Sequence, residues 1–514
     1  MSKTIIIIGA GLAGLSAALQ AAENGCNVKL VSSLPSERAQ SVMAEGGINA
    51  ALNTKDENDS PEEHFTDTIK AACGLADPNA VWGMTQAAPE LVHWLLKLGV
   101  KFNMSGYDDV DLRNFGGQKK KRTAFAQSDT GKQIMTAMID AVRRKEASGM
   151  VERFSHHSFL TLRLCGNICC GCVIRDEYSQ ETVELPGDAV IVATGGMHGL
   201  FGNTTGSLSN TGEVTAELFR LGVPLANGEM IQYHPTTVKC GGKRMLISEA
   251  ARGEGGRLFA MKDGKQWYFM EEKYPELGNL MPRDITAREI WKVSHESEVF
   301  LDMTEISEEI ISNKLSGLAD DCMTYLHKDI RKEPVSVLPG IHYLMGGSLV
   351  DEQHRMPIQN LYAAGECCAQ YHGANRLGGN SLLGALYGGR VAAKSACEQA
   401  DVVDLSCATQ IDVPPASQIS EIKQLNKVMQ ETMGVVRNEN TLLNGIQTVQ
   451  ALTGNLPLLG MAVLKSALAR KESRGAHWRE DYPKSNDDDY LKTTVARFDG
   501  KQIQISFVPV PERR

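Results

Sequence analysis

The N-terminal stretch MSKTIIIIGAGLAG, residues 1–14, predicts the fold of the region that it opens. The apolar run Ile5–Ile8 ends at glycine, which is typical of a parallel strand buried on both faces. Gly9, Gly11 and Gly14 then lead into an apolar helix. In a strand–turn–helix unit, this spacing provides a tight turn, an open backbone surface for phosphates and close helix–strand packing. The sequence therefore predicts a dinucleotide site with its phosphates at the helix N-terminus.

Two further apolar runs extend the predicted sheet. The second strand covers residues 26–31 and ends at Ser32 and Ser33, where a dinucleotide fold usually has an acidic residue that binds the ribose. We therefore expect serine hydroxyls to make that contact. Residues 188–196 form another apolar run that ends in glycines, and we expect a buried strand there.

Length and composition limit the class of protein. A chain of 514 residues is too long for one core, so we expect two to four domains. The net charge of −9 argues against a nucleic-acid partner, and we expect the basic run 119–122 to be a solvated loop. No apolar run is long enough to span a membrane, and the first strand leaves no room for a leader peptide. Twelve cysteines without such a leader suggest reduced thiols and a cytoplasmic location.

Four cysteines lie close together at Cys165, Cys169, Cys170 and Cys172. Their spacing lacks the paired CxxC pattern that most zinc and cluster sites share. The surrounding segment 161–184 alternates in hydrophobicity and predicts a β-hairpin, in which cysteine packs as a small apolar residue. We therefore predict no metal site, with a metal or cluster site as the less favoured alternative.

The chain changes character twice. Polar clusters begin near residue 227, and glycine-rich nucleotide-binding sequence returns at about residue 360. We therefore predict a discontinuous nucleotide-binding domain over 1–226 and 343–404, with an inserted domain over 227–342. A proline-containing linker over 405–417 then leads to a C-terminal helical domain and tail over 418–514.

Seven long motifs occur in one order: AEGG at 44–47, HPT at 234–236, EAARGEGG at 249–256, PRD at 282–284, HYLMGG at 342–347, AAGE at 363–366 and HGANRLGGNSL at 372–382. With these motifs, the chain resembles the flavoprotein subunits of fumarate reductase and succinate dehydrogenase and their relative L-aspartate oxidase. The resemblance covers about residues 4–483. It implies an α/β fold, with a Rossmann-like FAD-binding domain, an inserted α+β capping domain and a C-terminal helical domain.

The resemblance implies a set of FAD contacts. The matching positions are Gly9, Gly11, Gly14, Ser33, Ala44, Gly46, Gly47, Glu213, Glu366, Asn380, Ser381 and Leu382. Glu213 stands where the family usually has aspartate. Respiratory members attach FAD covalently through a histidine, and Gln40 occupies the aligned position here. We therefore expect non-covalent FAD, whose lower potential favours fumarate reduction.

The resemblance also implies a site for a C4-dicarboxylate such as fumarate or succinate. Its matching residues are His234, Ser248, His342 and Arg376 for the carboxylates, Phe115 beside the substrate, Arg283 as proton donor, and Glu249 and Arg252 as the relay that reprotonates it. Because the substrate is a dianion, a site with several cationic and donor groups makes chemical sense. We expect an FAD-dependent enzyme of electron transport or anaerobic respiration that reduces fumarate to succinate.

Three alternatives stay open. The first is L-aspartate oxidase. Oxidases of this kind have an acidic residue before the Gly-Gly pair that meets the ammonium group of the substrate, whereas Phe115 precedes Gly116 here and offers that group no charge. Residues 280–288, however, look somewhat like the oxidase. A reductase of another unsaturated acid and a non-catalytic FAD-binding scaffold are the others.

The resemblance implies an electron-donating partner, such as an iron–sulfur subunit or a reduced flavin or quinone system. We expect the chain to be cytoplasmic, or associated with a membrane through partner subunits.

Overall fold

A computed structural model gives the fold and describes residues 2–106, 109–401, 411, 413 and 418–514. The predicted linker over 405–417 lies outside these residues except at two positions.

The helices and strands are numbered in chain order. Up to residue 226 they are β1 (Thr4–Ile8), α1 (Leu12–Glu23), β2 (Asn27–Ser32), β3 (Ile48–Asn49), α2 (Pro61–Ala71), α3 (Pro78–Leu98), β4 (Leu112–Arg113), β5 (Thr123–Ala124), α4 (Thr130–Ala147), β6 (Val151–Ser155), β7 (His157–Cys165), β8 (Ile168–Asp176), β9 (Thr182–Pro186), β10 (Ala189–Val192), α5 (Glu213–Arg220) and β11 (Leu225–Ala226). The next segment contains β12 (Ile231–Cys240), β13 (Lys243–Leu246), α6 (Glu249–Gly253), β14 (Arg257–Lys262), β15 (Lys265–Trp267), α7 (Phe269–Lys273), α8 (Arg283–Val293), β16 (Val299–Asp302), α9 (Glu308–Lys314), α10 (Ser316–Asp321), β17 (Val335–Ser336) and β18 (Leu338–Leu344). The remainder contains β19 (Gly347–Leu349), β20 (Leu361–Ala363), β21 (Cys368–Ala369), α11 (Asn380–Gln399), α12 (Ile419–Thr432), α13 (Glu439–Val449), α14 (Asn455–Ala469), α15 (Asp487–Tyr490), β22 (Lys492–Phe498) and β23 (Ile503–Pro509).

A five-stranded parallel sheet forms the centre of the first part of the chain. Its strand order is β20-β10-β1-β2-β6, so the returning segment adds its strand beside β10. The isoleucines of β1 are buried against α1 and α11 on one face and against β7–β9 on the other. The predicted strands over 5–8, 26–31 and 188–196 are confirmed, because each apolar run has two buried faces.

Close backbone contacts explain the glycines after β1. Gly9 has φ +109°, and a Cβ there would lie 2.2 Å from the Ala193 oxygen. A Cβ at Gly14 would lie 1.8 Å from the Gly9 oxygen, where α1 crosses its own strand. The predicted tight turn and close helix–strand packing are therefore confirmed.

The cysteine-rich segment contains the predicted hairpin, with β7 and β8 joined at Gly166 and Asn167. The structure extends it at both ends, because β7 begins at His157 and a third strand gives the antiparallel sheet β7-β8-β9. The third strand forms because residues 182–186 turn back and pair with β8. Cys169 and Cys172 lie fully buried in an apolar core. No group of three or more potential metal ligands occurs among the described residues.

The segment between residues 231 and 344 has sheets of its own. β13-β12-β18 forms one and β15-β14-β16-β17 the other. The second sheet packs around a separate apolar core that includes Ile247, Leu258 and Leu301.

The C-terminal part combines the predicted helices with two strands. Helices α12–α14 share an apolar core with Phe219 of α5. Strands β22 and β23 extend the sheet β21-β19-β11, with β22 antiparallel to β11. Within the described ranges, no helix combines the length and apolar character required to cross a membrane.

The predicted solvated loop over 119–122 is wrong at its last residue. Arg122 is fully buried and lies 2.8 Å from an Asp59 oxygen and 3.0 Å from an Asp67 oxygen. Lys121 remains half exposed beside Glu57, as expected for a loop. Burial of Arg122 is tolerated because two carboxylates compensate its charge.

Candidate active site

A cavity of about 850 Å³ runs from the carboxyl ends of β1 and β2 to the segment 231–344. Its volume lies in the upper part of the range for ligand pockets. One end is lined by the glycine turn and the end of β2, and the other by the polar clusters that begin with His234.

Most predicted site residues come together in this cavity. Its lining includes Gly9, Gly11, Ser33, Ala44, Gly46, Gly47, Phe115, Glu213, His234, Ser248, Glu249, Arg283, His342, Glu366, Arg376, Ser381 and Leu382. Three predicted residues, Gly14, Arg252 and Asn380, do not line it. Gly14 serves helix packing, and Arg252 lies behind Glu249.

Asn380 turns its side chain into the protein. Its Oδ1 accepts a hydrogen bond from Asn49 at 2.7 Å and lies 2.9 Å from His64 Nε2, while its Nδ2 donates to Thr68 Oγ1 at 3.0 Å. Burial lowers the pKa of His64 to about 3, so the ring is neutral. Asn380 therefore anchors the first turn of α11, and its neighbours Gly379, Ser381 and Leu382 face the cavity.

The nucleotide end fits a dinucleotide such as FAD. A Cβ at Gly11 would meet only Ser41 and Ala39, both beyond 3.5 Å, so the backbone there is open to a ligand. Ser32 Oγ is buried beside the cavity without a hydrogen-bond partner among the described residues, and such an atom needs an acceptor or donor. Gln40 also lines the cavity, at the start of a short 3₁₀ helix.

The buried Glu249 carboxylate joins two arginines at the other end. Arg283 donates to its Oε2 from Nε at 2.9 Å and from Nη2 at 2.6 Å. Arg252 donates to Oε1 at 3.3 Å, and the Gly116 amide donates to the same oxygen at 3.1 Å. Glu249 and Arg252 lie on the same face of helix α6, as expected from their spacing of three residues. Ser248 caps the N-terminus of this helix.

Opposite charges determine the ionisation of this cluster. Burial alone would raise the pKa of Glu249, but Arg283 and Arg252 outweigh it and hold the pKa below its ordinary value. Burial lowers the pKa of Arg252, and the Glu249 carboxylate opposes that shift. The carboxylate is thus ionised at neutral pH and forms a continuous hydrogen-bonded chain between the two guanidinium groups.

His234 and His342 face each other with ring centroids 5.1 Å apart. His234 Nδ1 lies 3.0 Å from the Thr236 carbonyl oxygen, and His342 Nδ1 lies 2.8 Å from Thr205 Oγ1. Burial and the positive charge of Arg283 hold the pKa of both rings well below 6.5. The rings are therefore neutral groups, and the second nitrogen of each is available to a ligand.

Arg376 contributes a second cationic group to the lining. Its guanidinium carbon lies 4.3 Å from the ring centroid of Tyr343. Its Nε is buried without a hydrogen-bond partner in the part of the chain that the structure describes. Burial and repulsion from Arg283 lower the pKa of Arg376 to about 9, so the group is still charged at pH 7. Such an arrangement favours an anionic ligand.

Phe115 lies almost fully buried between the two ends. A Cβ at Gly46 would approach its ring to 2.8 Å, and one at Gly378 to 2.9 Å. Glycine at these two positions therefore lets the backbone lie flat against the ring.

Glu45 and Gln232 are among the lining or supporting residues that were not predicted. Glu45 belongs to the AEGG motif, and burial together with nearby Asp321 raises its pKa to about 8. Gln232 precedes the HPT motif; its Oε1 accepts from Arg283 at 3.1 Å, and its Nε2 donates to the Arg376 carbonyl at 2.8 Å. Glu45 lies inside the AEGG motif, and Gln232 lies two residues before the HPT motif. Their position within or next to these motifs is the sequence feature that could have identified them.

Glu366 also lines the cavity. Its Oε1 accepts from the Leu344 amide at 2.9 Å and lies 3.2 Å from His198 Nε2. No sequence signal pointed to His198, because the contact joins residues 168 positions apart.

Comparisons with known proteins agree with this geometry. Residues 4–382 match the family described as FAD binding domain, and residues 452–513 match the family described as Fumarate reductase flavoprotein C-term. The succinate dehydrogenase flavoprotein subunit of Bacillus subtilis is 38% identical, over 100% of this chain and 98% of its own. The chain belongs to the succinate dehydrogenase/fumarate reductase flavoprotein family.

Further relatives support this membership. The 8-methylmenaquinol:fumarate reductase flavoprotein subunit of Wolinella succinogenes is 32% identical, over 100% of this chain and 92% of its own. A mutant FrdA chain of E. coli quinol fumarate reductase matches with a TM-score of 0.89 at 27% identity, over 99% of this chain and 97% of that chain. The predicted fold class is confirmed. This family member is an FAD-dependent oxidoreductase of the succinate dehydrogenase/fumarate reductase type.

Replacement of Gly11 by alanine tests the phosphate-binding role of the turn. The added Cβ makes only ordinary contacts with Ser41 and Ala39, so Gly11→Ala should keep the unfolding temperature of the apoprotein. It fills the space at the helix N-terminus, and we expect FAD affinity to fall about tenfold or more. Fluorescence titration of the apoprotein with FAD measures this. Gly9→Ala is the contrasting variant, since its Cβ would clash with Ala193 and destabilise the fold itself. Wild-type FAD affinity in Gly11→Ala would contradict the assignment.

Proposed function

We propose that this flavoprotein reduces fumarate to succinate, with Arg283 as the proton donor. The observation that carries the proposal is the hydrogen-bonded chain Arg283–Glu249–Arg252, which ends at the cavity beside neutral His234 and His342. FAD, when bound, supplies the hydride from its N5 atom.

Substrate binding follows from the charges of the lining. Fumarate is a dianion, and Arg283 and Arg376 provide two guanidinium groups for its carboxylates. In the tautomer that carries its proton on Nε2, with Nδ1 accepting from Thr236 or Thr205, each of His234 and His342 offers a neutral donor without adding charge. The two arginines and the two histidines would hold one carboxylate out of the plane of the double bond. They would also stabilise the negative charge that develops on this carboxylate during the reaction.

Proton delivery follows from the chain behind the cavity. Arginine is a poor acid in water, so its use requires a partner that restores the proton. Glu249 accepts two hydrogen bonds from Arg283 and one from Arg252, which gives the proton a continuous path to the arginine. Arg252 in turn donates to the Asn279 carbonyl at 2.6 Å, which fixes its orientation.

We also propose that FAD is bound non-covalently. The proposal rests on Gln40, which lines the cavity where respiratory relatives have the linking histidine, and an amide side chain forms no such bond. A flavin without this linkage has a lower potential, which favours fumarate reduction over succinate oxidation.

We further propose that the chain has three domains. The discontinuous FAD-binding domain covers 1–226 and 343–404, the capping domain covers 227–342, and the C-terminal helical domain and tail cover 418–514. The separate core around Leu258 and Leu301 supports a capping domain over 227–342. Because Arg283 and Glu249 belong to that segment while Gly11 and Arg376 do not, the cavity lies between the cap and the FAD-binding domain.

The chain also requires an electron donor, which we propose to be a partner protein such as an iron–sulfur subunit, or a reduced flavin or quinone system.

Arg283 variants test the proposed reaction. Flavin reduced chemically under anaerobic conditions should be rapidly reoxidised by fumarate in the wild-type enzyme. In Arg283→Ala the rate should fall by about 10³-fold or more, because both the proton donor and a substrate contact are lost. Stopped-flow absorbance of the flavin gives the rate, and the FAD content of each variant shows that the cofactor is retained.

Arg288→Ala is the matched control, since Arg288 is on the same helix but packs on Trp478 outside the cavity. It should reoxidise at nearly the wild-type rate. An unchanged rate in Arg283→Ala would refute the role of Arg283. The protein would instead be an aspartate oxidase if L-aspartate reduced the oxidised flavin and fumarate did not reoxidise the reduced flavin.

Acid precipitation tests the mode of FAD attachment. All of the flavin should appear in the supernatant, and the denatured chain should show no flavin fluorescence on a gel. A fluorescent band that migrates with the chain would contradict non-covalent binding.

A further inference from the structure

Two thiols meet at the end of the central sheet that lies away from the cavity. Cys26 precedes β2, and Cys397 belongs to the last turn of α11. Their Sγ atoms are 2.9 Å apart. Cys26 is 6% exposed, Cys397 is half-buried, and Lys3 Nζ donates to the Cys397 carbonyl at 2.7 Å.

This geometry is close to that of a disulfide without being one. An S–S bond is about 2.05 Å long, so the two sulfurs need to approach by roughly 0.9 Å. The Lys3 contact holds the end of α11 against the sheet, so the pair stays together in the folded chain.

We infer that Cys26 and Cys397 are an oxidant-reactive dithiol that closes to a disulfide with hydrogen peroxide. One thiol loses its proton, and the thiolate attacks a peroxide oxygen, breaks the O–O bond and becomes a sulfenic acid, while the leaving hydroxide takes up that proton and departs as water. The second thiol then attacks that sulfur, forms the S–S bond and releases the oxygen as water. Two thiols and one peroxide thus give one disulfide and two waters, with two electrons passing from sulfur to oxygen.

The bond would connect two distant parts of the chain. The cysteines are 371 positions apart, with Cys26 in the first nucleotide-binding segment and Cys397 in the returning one. Helices α1 and α11 already pack together, where Ser16 Oγ donates to the Leu386 carbonyl. A crosslink over so long a loop restricts the unfolded chain strongly and should stabilise the folded FAD-binding unit.

The site is independent of the reaction. Cys397 is 17 residues after the start of α11, which places it about 25 Å along the helix from the end that faces the cavity. Neither cysteine lines the cavity. Closure of the disulfide should therefore change stability and leave turnover unchanged.

Mass spectrometry of the holoenzyme tests the inference. After reduction and desalting, the protein is treated with hydrogen peroxide, alkylated and digested without reductant. We expect a linked peptide pair that contains Cys26 and Cys397, and its loss on treatment with dithiothreitol. Cys26→Ser and Cys397→Ser should each abolish the pair, whereas Cys322→Ser, which removes a buried thiol in the capping segment, should not. Recovery of both cysteines alkylated, or oxidised singly without a link, would overturn the inference.

A second measurement tests the stabilising effect. The unfolding temperature of the peroxide-treated wild type should rise by about 4 °C or more over the reduced form, and neither serine variant should show the rise. A linked peptide without any rise would overturn the stabilising role.

Discussion

The buried carboxylate of Glu249 is the interaction on which the candidate site depends. It is shared by Arg283, Arg252 and the Gly116 amide, so it ties helices α6 and α8 to the turn after β4. Loss of one partner from a buried ion pair costs about 3–5 kcal/mol, because the remaining charge is left uncompensated. Here the loss of the carboxylate would leave two guanidinium groups facing each other. The position of Arg283 at the cavity is therefore fixed by the Glu249 carboxylate.

At this end of the cavity, two guanidinium groups lie beside ionisable groups that burial keeps neutral. His234 and His342 are neutral because burial and Arg283 lower the pKa of both rings. Glu45 carries a proton at neutral pH because burial and Asp321 raise its pKa to about 8. Arg376 keeps its charge, and together with Arg283 it presents two guanidinium groups to the cavity. Neutral imidazole rings can then form hydrogen bonds to a ligand without repelling the arginines.

The sequence was sufficient for the features that depend on local spacing. The isoleucine run and the glycines after it predicted β1, the turn and α1, because burial and backbone approach leave few other residue types possible there. The motifs also identified most of the residues that line the cavity.

Features that depend on distant partners were missed. Asn380 turns away from the cavity because Asn49 and His64, more than 300 positions away, bind its amide. Arg122 is buried because Asp59 and Asp67 lie opposite it, although its three lysine neighbours suggest a solvated loop. Long-range pairing of this kind leaves no pattern in a single sequence.

Binding of unreactive anions to the oxidised holoenzyme tests the central claim most directly, because it isolates the charge arrangement from hydride and proton transfer. Malonate, a dianion, and propionate, a monoanion of the same chain length, are titrated while the flavin absorbance spectrum is recorded. Two guanidinium groups facing the ligand predict that malonate binds about 100-fold more tightly than propionate, and that added salt weakens malonate more. Equal affinity for the two acids, or no response of the flavin to either, would contradict a cavity built for two carboxylates.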